Sequence, residues 1–236
     1  MPILALDTAT MVSGVALAAQ GKVIAELTLQ IGKTHSEMLL PHIKELLNMA
    51  GIDKKELRAV AVSIGPGSFT GLRIGLATAK ALAYALKIPL IGVSTLEALA
   101  YGAATPGALI VPLLDAQKGN VYYAAFGWDA NGLREERAAG VAAIEDILAQ
   151  LAQEKRPVMV LGEAAVLHRD KILAMKGEGI CLAPGHIVIS RASSVALLGE
   201  MMLQQGLVSD TMALEPLYIR RSEAEVLWEK RHGTAT

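Results

Sequence analysis

The stretch Ile3-Leu-Ala-Leu-Asp-Thr-Ala-Thr-Met-Val-Ser-Gly-Val-Ala-Leu-Ala-Ala-Gln-Gly-Lys-Val-Ile-Ala-Glu-Leu-Thr-Leu-Gln30 decides how the rest of the chain is read. Ile3–Thr8 and Val12–Ala19 are apolar runs of strand length joined by a short turn at Thr8–Met11. Gln20–Gly21 turns the chain again, and Val23–Gln30 follows. In that third run Val23, Ala25, Leu27 and Leu29 alternate with Ile24, Glu26, Thr28 and Gln30, the period of a half-exposed strand.

Beyond these strands, Thr34-His-Ser-Glu37 matches a capping box, in which Thr and Glu each satisfy a free backbone N–H. The helix it opens runs to about Ala50, with Gly51 as its stop and Pro41 bending it or delaying its start. Leu57–Ile64 reads as a buried strand, Gly65–Gly71 as a loop, Leu72–Lys87 as a helix, Ile88–Val93 as a strand and Ser94–Tyr101 as helical. The order strand, strand, strand, helix, strand, helix is the signature of an actin-like half, an α/β, ribonuclease H-like unit of mixed sheet flanked by helices. Such halves come in pairs around a cleft. Ala103–Gly107 is the best boundary, which predicts an N-terminal lobe at 1–105 and a C-terminal one at 106–236. The second lobe repeats the grammar loosely: strands at Ala108–Leu114, Val121–Trp128 and Pro157–Leu161, a turn at Asp115–Gly119, and helices at Ala142–Gln153 and Arg191–Gln205.

Composition agrees with that architecture. Of 236 residues 53% are apolar but only 4% aromatic, so the core must be built of Ala, Leu, Val and Ile, which suits strands sandwiched by helices. No apolar run is long enough for a membrane span and the start lacks a signal peptide's pattern, so a cytosolic location away from membranes is expected. Cys181 stands alone and is expected to be a small buried apolar residue. With 22 basic and 23 acidic residues the net charge is −1. The basic clusters Lys54–Lys55–Arg58, Arg220–Arg221 and Lys230–Arg231 read as solvated surface, so strong independent binding of a polyanion is not expected.

The run Ser63-Ile-Gly-Pro-Gly-Ser-Phe-Thr-Gly-Leu-Arg-Ile-Gly75 could aim backbone N–H groups at an anion, and Asp7 at the first strand's end could support a metal-bound phosphate. Asp7, Gly65, Gly67 and Ser68 are therefore the candidate nucleotide loop. The spacing nevertheless fits neither Walker A nor the dinucleotide fingerprint, and Ala9 stands where a glycine would ease close approach. A tight strand-to-helix turn is the stronger reading, with weak adenine-nucleotide binding left open and no other cofactor expected. Gly92-Val-Ser94-Thr-Leu96 starts like a nucleophile elbow but lacks its closing glycine. His35 and His42 are too far apart along a helix to share a metal, and His42 with Glu45 reads as a surface pair. No metal site and no catalytic residue is expected.

Ile3–Thr10, His35-Ser-Glu-Met-Leu-Leu-Pro41, Gly65–Gly75, Gly92-Val-Ser-Thr-Leu-Glu-Ala-Leu99, Leu114-Asp-Ala-Gln-Lys-Gly-Asn-Val-Tyr-Tyr123 and Pro216-Leu-Tyr-Ile-Arg220 together resemble the TsaB family, in order and over nearly the whole chain. Gln117 departs from the arginine common there, which weakens any role for that turn. The resemblance implies a non-catalytic dimerisation subunit that binds its paralogue TsaD and supports threonylcarbamoyl transfer to the adenosine beside a tRNA anticodon. It also implies work with the ATPase TsaE through the complex, use of the product of the synthase TsaC, self-pairing as a homodimer when alone, and only indirect contact with tRNA. TsaD's His-x-x-x-His metal pair falls, by the same resemblance, at Thr95 and Leu99, neither of which can replace an imidazole. The alternatives are an actin-like ATPase or small-molecule kinase, a glycoprotease-like peptidase, and a purely structural homodimer.

The helix Leu72–Lys87 suggests where partners meet. Leu72, Leu76, Ala79, Ala83 and Leu86 already form a complete apolar stripe, yet Ile74, Ala77, Ala81 and Ala85 are apolar or small as well. The preceding helix has a similar excess in Met38, Leu39, Leu40, Ile43, Leu46, Leu47 and Met49. Met38, Leu39, Ile43, Leu46, Ile74, Ala77, Ala81 and Ala85 are the expected partner interface, in a four-helix contact with a second copy or with TsaD.

Overall fold

The computed structural model describes residues 1–30, 35–175 and 179–220. The opening strands are β1 (Ile3–Asp7), β2 (Ser13–Ala19) and β3 (Lys22–Leu29), followed by α1 (His35–Ala50). Thr34 of the expected capping box lies outside the described residues, and Pro41 falls inside α1 without delaying its start. Gly51, at φ 65°, ends the helix in the left-handed region as expected. Then come β4 (Ala59–Gly65), α2 (Phe69–Leu86), β5 (Leu90–Ser94) and α3 (Thr95–Tyr101).

The second half holds β6 (Leu109–Asp115), β7 (Asn120–Asp129), β8 (Gly132–Ala143), α4 (Ile144–Leu151), β9 (Val158–Leu161), α5 (Glu163–Leu167), α6 (Arg169–Ala174), β10 (Ile180–Leu182) and α7 (Ala192–Gln204). One sheet has the order β3-β2-β1-β4-β5 and the other β8-β7-β6-β9-β10. The first strand of each half pairs antiparallel with the second and parallel with the fourth, so the two sheets share one topology.

Strand alternation divides the first half's core. Leu4, Leu6, Val15, Leu17, Val60 and Val62 face α1 and α2, while Ile3, Ala5, Ala16, Ala18, Ala59 and Ala61 face α7. Small residues on the second face let α7 approach closely; a Cβ on Gly199 would stand 2.6 Å from the Ala61 Cβ. In the other half, α4, α5 and α6 cover one face of the sheet and α3 packs on the opposite face.

The closing helix of each half thus crosses to the other half's sheet. α3, from the first half, supplies Leu96, Leu99 and Ala100 to a core with Ile110, Leu114 and Phe126. α7, from the second half, packs against all five strands of the first sheet. A division at residue 105 therefore separates the sheets but parts each closing helix from the sheet it covers. Carboxylates hold α7 at both ends. Glu26 on β3 takes Arg191 Nη2 at 2.5 Å and the Ser193 N–H at 3.0 Å, filling the capping role that no α7 side chain performs. Glu200 accepts from the N–H groups of Gln20 and Gly21 at 2.7 and 2.8 Å.

Candidate functional site

Two places gather the residues singled out by the sequence: the β1–β2 turn around Asp7, and the outer face of α1 and α2.

The glycine-rich loop after β4 folds onto the β1–β2 turn. Ser68 N donates to the Ala9 carbonyl at 2.7 Å, and Thr8 Oγ1 donates to the Gly71 carbonyl at 2.7 Å. Ser68 Oγ accepts from Gly71 N at 3.2 Å, so this serine is the N-cap of α2, which begins at Phe69 rather than Leu72. A side chain on Gly67 would overlap the Ala9 carbonyl, and one on Gly71 the Thr8 carbonyl. Gly65 has φ 122° and abuts the Leu217 carbonyl, while Leu217 N donates to the Ile64 carbonyl at 2.7 Å. The glycines therefore serve close backbone packing. Asp7 is buried; one carboxylate oxygen accepts from Ala9 N at 3.1 Å and the other from the Ser190 hydroxyl. The structure brings Asp7, Gly67 and Ser68 together around Ala9, each with hydrogen bonds or packing inside its own chain.

The remaining chemical candidates resolve into structural roles. Ser94 caps α3 by accepting from Glu97 N at 3.4 Å. Thr95 and Leu99 are buried on α3, and Leu99 belongs to the core against the second sheet. Burial pushes the Glu97 carboxyl above its usual range, with nearby Glu135 adding to the rise. His42 is buried, not at the surface as expected, and neither ring nitrogen has a partner among the described residues; burial pushes its pKa down against the opposing pull of Glu45. Cys181, expected inside, is exposed on β10. Among the described residues no three His, Cys, Asp or Glu side chains are grouped so as to hold a metal ion. No helix there is long and apolar enough to cross a membrane.

On the helical face three of the eight residues expected at the interface lie instead in the chain's own core. Leu39, Ile43 and Leu46 are 1%, 5% and 0% exposed and pack on their own sheet, because α1 turns its regular apolar stripe inward. Met38 and Ile74 are half-buried. Ala77, Ala81 and Ala85 are exposed, one turn apart on α2, beside Tyr84 at 68% exposure. From α1 the outward apolar side chains are Leu40 and Met49, both part of the apolar excess that the sequence shows on this helix.

Two sheets of one topology, with closing helices exchanged between them and a glycine-rich turn against the first hairpin, define an actin-like, ribonuclease H-like protein. A family model described as "TsaD: tRNA N6-adenosine threonylcarbamoyltransferase" matches residues 22–228. The tRNA threonylcarbamoyladenosine biosynthesis protein TsaB of Bacillus subtilis is 36% identical, with 97% of this chain and 98% of that one aligned. The Escherichia coli protein of the same name is 32% identical over 99% of each chain. A solved structure of YeaZ from Pseudomonas aeruginosa, 24% identical, superposes with a TM-score of 0.75 over 92% of this chain and 99% of that one, a likeness of fold. The chain belongs to the TsaB family.

Proposed function

We propose that this protein is a partner-binding subunit, without catalysis of its own, in the formation of threonylcarbamoyladenosine on tRNA. The role in tRNA modification follows from near-full-length similarity to proteins named for that pathway. The observation that carries the binding role is the outer face of α2, where Ala77, Ala81 and Ala85 lie exposed beside Tyr84, with Leu40 and Met49 on the adjoining α1. Small side chains admit a second helix at close range, and an exposed Tyr is a common interface anchor. The partner is a TsaD-type subunit bearing paralogous helices; a second copy takes the same face when the chain is alone. TsaE joins through that complex, and tRNA is met only there. The close packing of Gly67 and Gly71 on the β1–β2 turn and the apolar setting of Leu99 support the non-catalytic half of the proposal.

Ala81→Glu tests it by size exclusion and by capture of purified TsaD, with circular dichroism verifying the fold. The substitution is expected to give a monomer and to weaken capture at least tenfold, since a charge buried in a dry interface is costly. Wild-type dimerisation and capture would place the interface elsewhere. Separately, ATP hydrolysis by the pure chain that disappears in Asp7→Ala would overturn the non-catalytic reading.

A further inference from the structure

After α7 the chain returns along the first half, where Leu214 joins the core beneath α2 and Leu217 N donates to the Ile64 carbonyl. Two hydrogen bonds set its course beside α2. Lys80 Nζ donates to the Met212 carbonyl at 2.8 Å, and Arg73 Nε donates to the Tyr218 hydroxyl at 3.0 Å. Residues 212–218 therefore run in the direction opposite to α2, and Glu215, midway between the two anchors, stands level with Ala77.

Between this segment and α2 lies a groove of about 460 Å³. Its apolar walls come from Leu76, Ala77, Leu214 and Pro216, and its polar side chains are Arg73, Lys80, Glu215 and Tyr218. That volume is in the usual range for a small-molecule site and is ample for one aromatic side chain. At one end Arg73 lies 3.8 Å over the Phe69 ring, on which Tyr218 stacks with centroids 5.2 Å apart. At the other end Lys80 is close enough to Asp210 to lower its pKa, although that carboxylate chiefly accepts from the N–H groups of Ala213 and Met212. The lining thus sets an aromatic, cationic end at Arg73 apart from Lys80, with the exposed carboxylate of Glu215 between them.

We propose that Tyr84 of a second copy seats in this groove and that Lys80 and Glu215 pair across the two copies, a placement that rests on the reading of the outer face of α2 as the contact surface. Ala77 belongs both to the groove and to the exposed alanine row, so groove and contact surface are continuous. At about 100° per residue, Tyr84 projects within about 20° of Ala77 and on the side of Arg73 and Lys80, whereas Ala85 turns the other way. A contact between two identical copies is self-complementary about a two-fold axis. An axis lying across α2 reverses the second helix but keeps its groove side over the groove side of the first. With Ala77 of each copy set against Ala81 of the other, Tyr84 comes level with Ile74, beside Arg73 and Tyr218. There its ring, 68% exposed in the single chain, meets the Arg73 guanidinium and the apolar wall. The same axis brings Glu215, level with Ala77, beside the second copy's Lys80, so a carboxylate meets an ammonium twice, once on each side of the axis. One antiparallel arrangement therefore fills the groove and matches its charges together.

Analytical ultracentrifugation of the full-length protein reads the dimer dissociation constant, with circular dichroism verifying the fold of each variant. Tyr84→Ala is expected to weaken the dimer at least about tenfold, as loss of a seated aromatic anchor does. Tyr84→Phe, which keeps the ring, should stay within about fivefold of the parent, the share of one neutral hydrogen bond. Lys80→Glu and Glu215→Lys should each weaken self-association, because each sets like charges against the other copy. Mixed in equal amounts, these two variants should form a heterodimer tighter than either homodimer, since every Lys80–Glu215 position then holds opposite charges. A mixture no tighter than its components overturns the pairing. A Tyr84→Ala dimer of parental strength, with Ala81→Glu monomeric, overturns the seat while the contact surface stands. If Ala81→Glu is dimeric as well, the surface itself fails and the seat falls with it.

Discussion

Gly199→Ala sets two ordinary effects against each other, and the structure says which wins. In an exposed helix interior the change stabilises by about 1 kcal/mol, because glycine loses more freedom on folding than alanine. In α7 the added Cβ would stand 2.6 Å from the Ala61 Cβ on β4, where carbon atoms settle at about 3.5–4.0 Å. Relief needs a shift of about 1 Å. α7 packs across β1 to β5 and is tied at both ends by Glu26 and Glu200, so it cannot tilt away without loosening other contacts. Overpacking of this kind costs about 1–3 kcal/mol. The net expectation is a loss of about 1 kcal/mol, read in thermal denaturation as a Tm lower by about 2–4 °C for a chain of this length. Gly199→Val should lose about three times as much. Ala61→Gly should recover part of the loss in the Gly199→Ala background, with a coupling of about 1–3 kcal/mol in a double-mutant cycle. A rise in Tm for Gly199→Ala would refute the close packing of α7 on β4.

Gly67→Ala is expected to lower Tm by about 5–10 °C through its clash with the Ala9 carbonyl, whereas Gly185→Ala, with open space around it, should be neutral or slightly stabilising. Burial alone would raise the Glu26 pKa, but the hydrogen bonds from Arg191 and Ser193 and the Arg191 charge outweigh it and hold the group below its ordinary 4.5. Its contribution is therefore complete above pH 4.5 and is lost as pH falls through the lower folded value. Glu26→Gln should cost about 1 kcal/mol at pH 7, after allowance for solvent screening, and flatten the acid limb of a Tm–pH curve; an unchanged acid limb counts against the pairing. Expressed alone, residues 1–105 should be insoluble or molten by near-ultraviolet circular dichroism, because α7 is missing from the first sheet; a cooperative thermal transition would show that the sheet needs no such cover.

Much of this fold is visible in the sequence because local pattern and tertiary need coincide. The apolar runs of β1, β2, β4 and β6 are buried strands, and the stripe Leu72, Leu76, Ala79 and Ala83 is the inward face of α2. β8 is not visible, since Leu133-Arg-Glu-Glu-Arg-Ala-Ala139 lacks the β-branched and aromatic residues of a strand and is held by pairing with β7. Short α5 and α6 leave too few turns for a period to emerge. The sheet that a closing helix covers is a long-range fact with no local trace. At the partner face, the excess of apolar residues on α1 and α2 was readable but its direction was not: periodicity counts Leu39 and Leu40 alike, and only the docked helix shows that one is core and the other surface.

The exchange of closing helices has a consequence for synthesis. The first sheet's inner face, with Ile3, Ala5, Ala61, Ile91 and Val93, waits for residues 192–204. At about 5–20 residues per second, the roughly 100 residues between the end of α3 and the end of α7 take on the order of 5–20 s to emerge from the ribosome. Through that interval a nascent N-terminal half has its strands and its α1–α2 side, but no cover for the opposite apolar face. Native folding cannot finish vectorially, half by half; it awaits the last helix, and the contacts that complete it join residues almost two hundred positions apart. Such a chain should fold late and depend on chaperone shielding while it is being made.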